Sequence, residues 1–176
     1  MTEFTRPVPL DTIGAGGRGV EINASAAELA ALAKRFGWLA LEQLEGEARL
    51  TKVAGGIEVK GQVRARLAQA CVVTDAPVAE QVNEPVLLRF VDGAEPADGD
   101  EEVELGAGDL DVLPIEGGAI DLGEAFAQTV ALAVDPFPKA PGADDVARAA
   151  GVLTEDEAKA AASPFAKLKG LLSPNG

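Results

Sequence analysis

The only cysteine of this 176-residue chain is its one candidate for thiol chemistry, and the chain contains no histidine. Cys71 lies in the stretch LAQACVVTDAP. Without histidine it lacks the usual general base, and a zinc site needs about four thiolate or imidazole ligands. The preceding alternation places Cys71 on the apolar face of a strand, where burial raises the pKa of a thiol. We therefore expect a packing residue of low reactivity, with no catalytic residue, no metal and no cofactor.

The other patterns that could perform chemistry do not have the spacing that they need. Two carboxylates in the acidic stretch around residue 100 have no framework that fixes their separation. A calcium loop starting at Asp98 would need glycine at its sixth position, where the chain has Val103. The glycines of residues 14–19 match a dinucleotide-binding pattern by letter, but they precede a strand-like stretch instead of a helix. The sequence indicates a hairpin connection there, and the protein is not expected to be an enzyme.

Negative charge is concentrated in one part of the chain. The net charge is −14, and between Arg89 and Lys139 there is no basic residue. Residues 92–124 contain twelve acids: Asp92, Glu95, Asp98, Asp100, Glu101, Glu102, Glu104, Asp109, Asp111, Glu116, Asp121 and Glu124. Such a surface repels phosphate backbones, which argues against DNA as a partner, and attracts basic proteins. We predict partner binding by Asp98, Asp100, Glu101, Glu102 and Glu104; the alternative is a solvated segment that only keeps the protein soluble.

The elements that position these residues indicate an α+β fold built on an antiparallel sheet, with barrel-like closure as an alternative. Alternation that is strict over residues 57–67 and continues to Val73 predicts a strand with Cys71 and Val73 on its apolar side. A turn at residues 54–56 joins this strand to residues 39–53 in a long central hairpin. Residues 85–91 read as the next strand. Two helices pack on the sheet: one follows the capping box of Ser25 and Glu28, and the other begins at Asp121 and Gly123, which we assign structural roles.

The polar side of the central hairpin carries a row of basic residues. It consists of Arg49, Lys52, Lys60, Arg64 and Arg66. This row could follow a phosphate backbone and make the protein an RNA-binding module, although few aromatic residues are present to stack on bases. The alternative is a salt-bridged, solvated sheet face.

The end of the chain differs in composition from the rest. Residues 1–138 suit a single α+β domain, and residues 139–176 form a tail rich in Ala, Pro and Gly with short helix signals at 154–157 and 163–164. Phe165 and Leu168 share an apolar stripe, with Lys167 and Lys169 outside it. This terminal helix is expected either to recognise a partner or to cover the protein's own core.

The sequence favours a cytoplasmic location. One cysteine cannot form an internal disulfide, and the sequence begins with no charged-then-apolar signal segment. The longest apolar stretch, residues 125–134, is well below the roughly 20 residues that span a bilayer, so no membrane association is expected.

Three motifs in this order resemble the YceD family of large ribosomal RNA subunit accumulation proteins: GQVRARLAQACVVTDAPV, IDLGEAFAQTVALAV followed by PFP, and SPFAKLKGL. The resemblance implies a non-catalytic bacterial factor that supports large-subunit ribosomal RNA, with a large-subunit ribosomal protein or a preribosomal particle as partner and ribosomal RNA as a further candidate. Many members carry Cys-x-x-Cys where this chain has Cys71-Val-Val-Thr74, so a metal role does not carry over.

Overall fold

The computed structural model describes residues 3–92, 111–115, 117–153 and 157–159. The strands are β1 (Pro7–Pro9), β2 (Arg18–Asn23), β3 (Ala40–Val53), β4 (Gly56–Ala70), β5 (Pro77–Val91), β6 (Asp111–Pro114) and β7 (Ala119–Asp121). The α-helices are α1 (Ala26–Phe36), α2 (Leu122–Ala133) and α3 (Ala143–Ala149), and a 3-10 turn covers Leu10–Thr12. The fold is α+β, as the sequence predicts.

The main sheet has five strands in the order β2-β3-β4-β5-β6. All neighbours are antiparallel except β5 and β6, which run parallel. Because β2 and β6 form its edges, the described sheet is open and not a barrel. β1 pairs with β7 in a separate two-stranded sheet. The predicted hairpin connection over residues 14–19 is therefore wrong: β1 has two prolines in three residues, which leaves it few donors, and it does not pair with β2.

The central hairpin follows directly from the sequence. A two-residue turn at Ala54 and Gly55 closes it, and Gly55 has a φ of 81°, a conformation that glycine adopts without strain. Alternate residues of β4 are buried against the core, among them Val59, Val63 and Leu67. This alternation produces one apolar and one polar face.

The strand β4 ends earlier than its pattern predicts. The N–H of Cys71 donates to the carbonyl of Ala76 at 2.8 Å, and the N–H of Val72 donates to the carbonyl of Pro138 at 2.9 Å. These bonds turn the chain out of the sheet after Ala70. Cys71 is buried, but Val73, predicted to share its apolar side, is 37% exposed. The prediction for Val73 is wrong because the alternation stops where the strand does.

The helices begin at the predicted caps. In α1 the Ser25 hydroxyl accepts from the Glu28 N–H at 3.4 Å, and the Glu28 carboxylate accepts from the Ser25 N–H at 2.8 Å, which completes the capping box. Leu32 packs this helix against β3. Helix α2 buries Phe126 against β4 and β5, with its ring over Gly46: a Cβ at that glycine would lie 2.3 Å from the ring.

The tail contains a helix that the sequence analysis did not predict. Helix α3 has seven residues and starts after Gly142, which offers no side-chain cap, so no capping signal announces it. Residues 157–159 are helical and begin at the last residue of the predicted signal at 154–157, whose first three residues lie outside the described ranges. Within the described ranges, no helix combines the length and the apolar composition that a bilayer crossing requires.

Candidate interaction surfaces

The residues predicted to bind a partner lie outside the described residues. They are Asp98, Asp100, Glu101, Glu102, Glu104, Phe165, Lys167, Leu168 and Lys169. The strands on either side of the first group are described. In the register of β5 and β6, Leu88 pairs with Asp111 and Val91 with Pro114. Residues 92–111, which we call the acidic segment, therefore begin directly after β5 and end at the first residue of β6, and these two strands are adjacent at one edge of the sheet.

Two acids of residues 92–124 have partners inside the fold. Asp121 accepts hydrogen bonds from the N–H groups of Arg6, Gly123 and Glu124. Glu124 forms a bidentate pair with the guanidinium of Arg35 at 2.8 and 2.7 Å, and this pair holds the pKa of Glu124 below its ordinary value. Not all twelve carboxylates of residues 92–124 are therefore available to a partner.

The basic row predicted on the hairpin is divided between two faces. Arg49 pairs directly with Lys60, and Arg64 and Arg66 follow four and six residues after Lys60 along β4, so these four share the solvent side. Lys52 pairs with Ile57, which is 4% exposed and belongs to the core side. Because directly opposed residues of an antiparallel pair point to the same face, Lys52 does not belong with the other four. We call the solvent side of β3 and β4 the outer face.

Acidic residues are interleaved with the basic residues of the outer face. The Nζ of Lys60 lies 2.8 Å from the carboxylate of Glu58, and the guanidinium of Arg64 lies 3.6 Å from Glu45 and 3.7 Å from Glu47. Such exposed pairs contribute little stability, but they reduce the positive potential of the face. Glu45 and Glu47 are not part of the predicted basic row, although alternation along β3 places both on this face.

Two arginines of the outer face differ from the rest. The side chain of Arg49 donates to the carbonyl of Gly16, which ties the loop before β2 to β3. Arg66 is exposed and has no ion pair within the described part of the chain. An open groove of about 700 Å³ crosses this face beside Arg49 and Lys60. Both acidic and basic side chains line this groove, so its charge favours no single class of ligand.

The thiol of Cys71 lies in a cluster of hydrogen-bond donors. The N–H of Ala140 contributes most, followed by the hydroxyl of Thr74 and, more weakly, by the N–H groups of Val73 and Thr74. The Val73 nitrogen lies 3.4 Å from the sulfur. Together these donors lower the pKa of Cys71 from 9.0 to about 7, although burial opposes the shift. The expected raised pKa is therefore wrong, because donors that stabilise the thiolate outweigh the burial.

The region around Asp121 and Gly123 joins helix α2 to the N-terminal segment. Asp121 caps the helix. A Cβ added to Gly123 would lie 2.4 Å from the carbonyl oxygen of Phe4 and 3.0 Å from the nitrogen of Arg6. Only glycine allows the two backbones to approach this closely.

The described residues contain no group of three or more histidine, cysteine or acidic side chains placed to hold a metal ion. Comparison with curated proteins and with solved structures found no match to the chain. A family model does match: the model described as large ribosomal RNA subunit accumulation protein YceD covers residues 59–172. The matched range includes all three motifs noted in the sequence and well over half of the chain. This chain belongs to the YceD family of large ribosomal RNA subunit accumulation proteins.

Proposed function

We propose that this protein is a non-enzymatic bacterial factor that supports the accumulation of large-subunit ribosomal RNA by binding a basic ribosomal protein or a preribosomal particle in the cytoplasm. The observation that carries the proposal is the family match over residues 59–172, whose description names an RNA that accumulates and no reaction. The composition supports a binding role: the chain has no histidine, and its one cysteine is buried.

The acidic segment supplies the electrostatic attraction in this proposal. Residues 92–111 contain nine acids and no basic residue: Asp92, Glu95, Asp98, Asp100, Glu101, Glu102, Glu104, Asp109 and Asp111. An uncompensated negative segment accelerates encounter with a positively charged protein and makes binding sensitive to salt. Its attachment to β5 and β6 connects it at both ends to the most extensive element of the fold.

Cells that lack the protein provide the test. We expect a reduced ratio of large-subunit to small-subunit ribosomal RNA, restored by the wild-type chain. A variant in which Asp98, Asp100, Glu101, Glu102 and Glu104 are replaced by their amides should restore it poorly and should co-purify with less ribosomal protein at low salt. The control replaces four exposed acids outside the segment, Asp11, Glu21, Glu42 and Glu84, by their amides.

Ribonuclease treatment during purification separates the possible partners. A directly bound ribosomal protein remains after the nuclease, whereas an association bridged by RNA disappears. An unchanged RNA ratio in cells lacking the protein would contradict the role, and equal co-purification of the neutralised variant would leave the segment as a solubility device.

Direct RNA binding by the outer face is the second candidate. It is favoured by Arg66, exposed and without an ion pair in the described part of the chain, and by Arg64, whose contacts with carboxylates are long. The double variant Arg64→Gln and Arg66→Gln should weaken binding to ribosomal RNA and reduce its salt dependence. Lys52→Gln, compared with each single variant, is the control, because Lys52 lies on the opposite side of the sheet. Equal binding by both variants would reject this candidate.

A further inference from the structure

Phe137 is exposed in a chain whose other described phenylalanines are packed. Phe4, Phe90 and Phe126 are buried and Phe36 is partly buried against the core, whereas Phe137 is 70% exposed. It follows helix α2, between Pro136 and Pro138. A ring this exposed contributes little burial free energy to the core, and it points to an interaction site only where apolar neighbours extend it into a patch.

The backbone around Phe137 is held in place by hydrogen bonds. The amide of Gln69 donates to the carbonyl of Asp135 at 2.9 Å, and the N–H of Asp135 donates to the carboxylate of Glu80 at 2.9 Å. The N–H of Phe137 donates to the Asp135 carboxylate at 2.8 Å, and Pro138 accepts from Val72. The exposed ring is therefore presented by a fixed backbone, which reduces the entropy that a contact would cost.

Two exposed valines extend this apolar surface. Val72 is 53% exposed and Val73 is 37% exposed, and the bond from the Val72 N–H to the carbonyl of Pro138 brings them beside the segment that holds Phe137. We call Val72, Val73 and Phe137 the Phe137 corner. A central aromatic with smaller apolar neighbours is the composition typical of an interface anchor.

The groups around the Phe137 corner carry an excess of negative charge. Asp75, Glu80 and Asp135 have no ion pair in the described part of the chain. The nearby cations are already engaged: Lys139 pairs with Asp144 at 2.7 Å, and Arg148 pairs with Asp145 at 3.2 Å. An apolar centre with an acidic rim complements a protein segment that has apolar side chains flanked by lysine or arginine.

We infer that the Phe137 corner is a docking site for a short basic segment of a partner protein, with an apolar side chain of that segment against Phe137 and its cations near Asp75, Glu80 and Asp135. This inference rests on the proposed function, since it assigns a contact surface to the basic partner. It adds a site at the end of β4, beside the start of β5, whereas the acidic segment begins after the other end of β5. The acidic segment attracts the partner, and the corner fixes its position.

The test uses the full-length protein and the proteins of the large ribosomal subunit, extracted free of RNA. The strongest bound protein is identified by mass and its affinity measured by titration. Phe137→Ser should weaken this affinity by about 10-fold or more, as for loss of an interface anchor. Leu87→Ser is the control: Leu87 is 47% exposed and lies on β5 opposite Lys60, outside the acidic segment and ten residues along the strand from Pro77, which pairs with Ala70 beside the corner, so its variant should bind like the wild type.

A second variant tests the charge of the rim. Asp75 has a φ of 57°, a conformation that asparagine also tolerates, so Asp75→Asn removes the charge without straining the turn. It should reduce the salt dependence of binding. Melting temperatures of all three variants should match that of the wild type, because each altered side chain is exposed.

The outcomes distinguish this inference from the proposed function. If Phe137→Ser binds as tightly as the wild type, and binding still depends on salt, the docking site is wrong and the basic partner stands. If the wild type binds none of the extracted proteins, the proposal of a basic ribosomal partner is wrong, and the docking site that rests on it is rejected as well. If Phe137→Ser instead abolishes self-association in sedimentation, a second copy of the chain occupies the corner, and the inference is wrong.

Discussion

The carboxylate of Asp121 accepts a hydrogen bond at 2.8 Å from the backbone N–H of Arg6, a residue 115 positions away in the chain. The same oxygen accepts from Gly123 at 3.0 Å and from Glu124 at 3.3 Å, so one side chain caps α2 and holds the N-terminal segment on it. A second hydrogen bond joins the same two segments: the carbonyl of Arg6 accepts from the Leu122 N–H at 3.2 Å. Asp121, which belongs to the motif IDLGEAFAQTVALAV of the family match, thus has a structural role: it joins helix α2 to the N-terminal segment.

Replacing Asp121 tests this junction. Asp121→Ala should lower the free energy of unfolding by about 2 kcal/mol, because it removes a helix cap and leaves the Arg6 N–H without its acceptor. Asp121→Asn keeps an oxygen at the same position and should cost less than half as much. The measurement is urea unfolding of both variants. Equal losses would show that the charge, and not the hydrogen-bond geometry, stabilises the junction.

Gly123 should be equally intolerant of change for a steric reason. Gly123→Ala places a Cβ 2.4 Å from the carbonyl oxygen of Phe4, and only a backbone shift can relieve this contact. We expect a loss of about 1–3 kcal/mol in the free energy of unfolding. Gly14→Ala is the control, because a Cβ there meets no atom within 4 Å. A neutral Gly123→Ala would mean that the N-terminal segment moves freely over α2.

The local elements were predictable because their signals are local. The capping box of Ser25 and Glu28, the alternation of β4 and the turn at Gly55 each depend on residues a few positions apart. The face on which Lys52 lies is also encoded locally. Alternation along β3 places Lys52 on the same side as Leu50, which is the core side. The pairing of β6 beside β5 depends instead on contacts between distant residues, which periodicity does not encode.

The pKa of Cys71 also depends on residues that are distant in the sequence. Burial followed from the sequence, but the pKa depends chiefly on the N–H of Ala140, 69 positions later in the chain. The end of β4 likewise depends on the carbonyl of Pro138. No pattern within β4 contains this information, so a donor cluster assembled from two distant segments could be found only in the structure.

The lowered pKa of Cys71 makes stability depend on pH in a defined direction. The thiolate is favoured in the folded protein, where the pKa is about 7, relative to the ordinary value of 9.0. The stabilisation is therefore complete above pH 9 and is lost as pH falls through 7. The difference in unfolding free energy between the wild type and Cys71→Ala should grow as pH rises from 7 to 9. Urea unfolding across this range measures it.

A reactivity measurement provides the companion check on Cys71. The side chain is buried, so the native protein should react slowly with a maleimide at neutral pH even though the thiolate is populated, and fully once unfolded in urea. Rapid labelling of the native protein would contradict a packing role. A wild-type and Cys71→Ala pair with parallel pH profiles would contradict the donor cluster.

Residues 163–176 test whether the end of the chain recognises a partner or stabilises its own fold. They lie outside the described residues, and their sequence combines Phe165 and Leu168 with Lys167 and Lys169. We predict recognition: deletion should reduce large-subunit RNA accumulation and leave the melting temperature unchanged. Phe165→Ser with Leu168→Ser should reproduce the loss if apolar contact dominates, whereas Lys167→Gln with Lys169→Gln should do so if charge dominates. A lower melting temperature with RNA accumulation retained would reject recognition and assign the segment to the protein's own core.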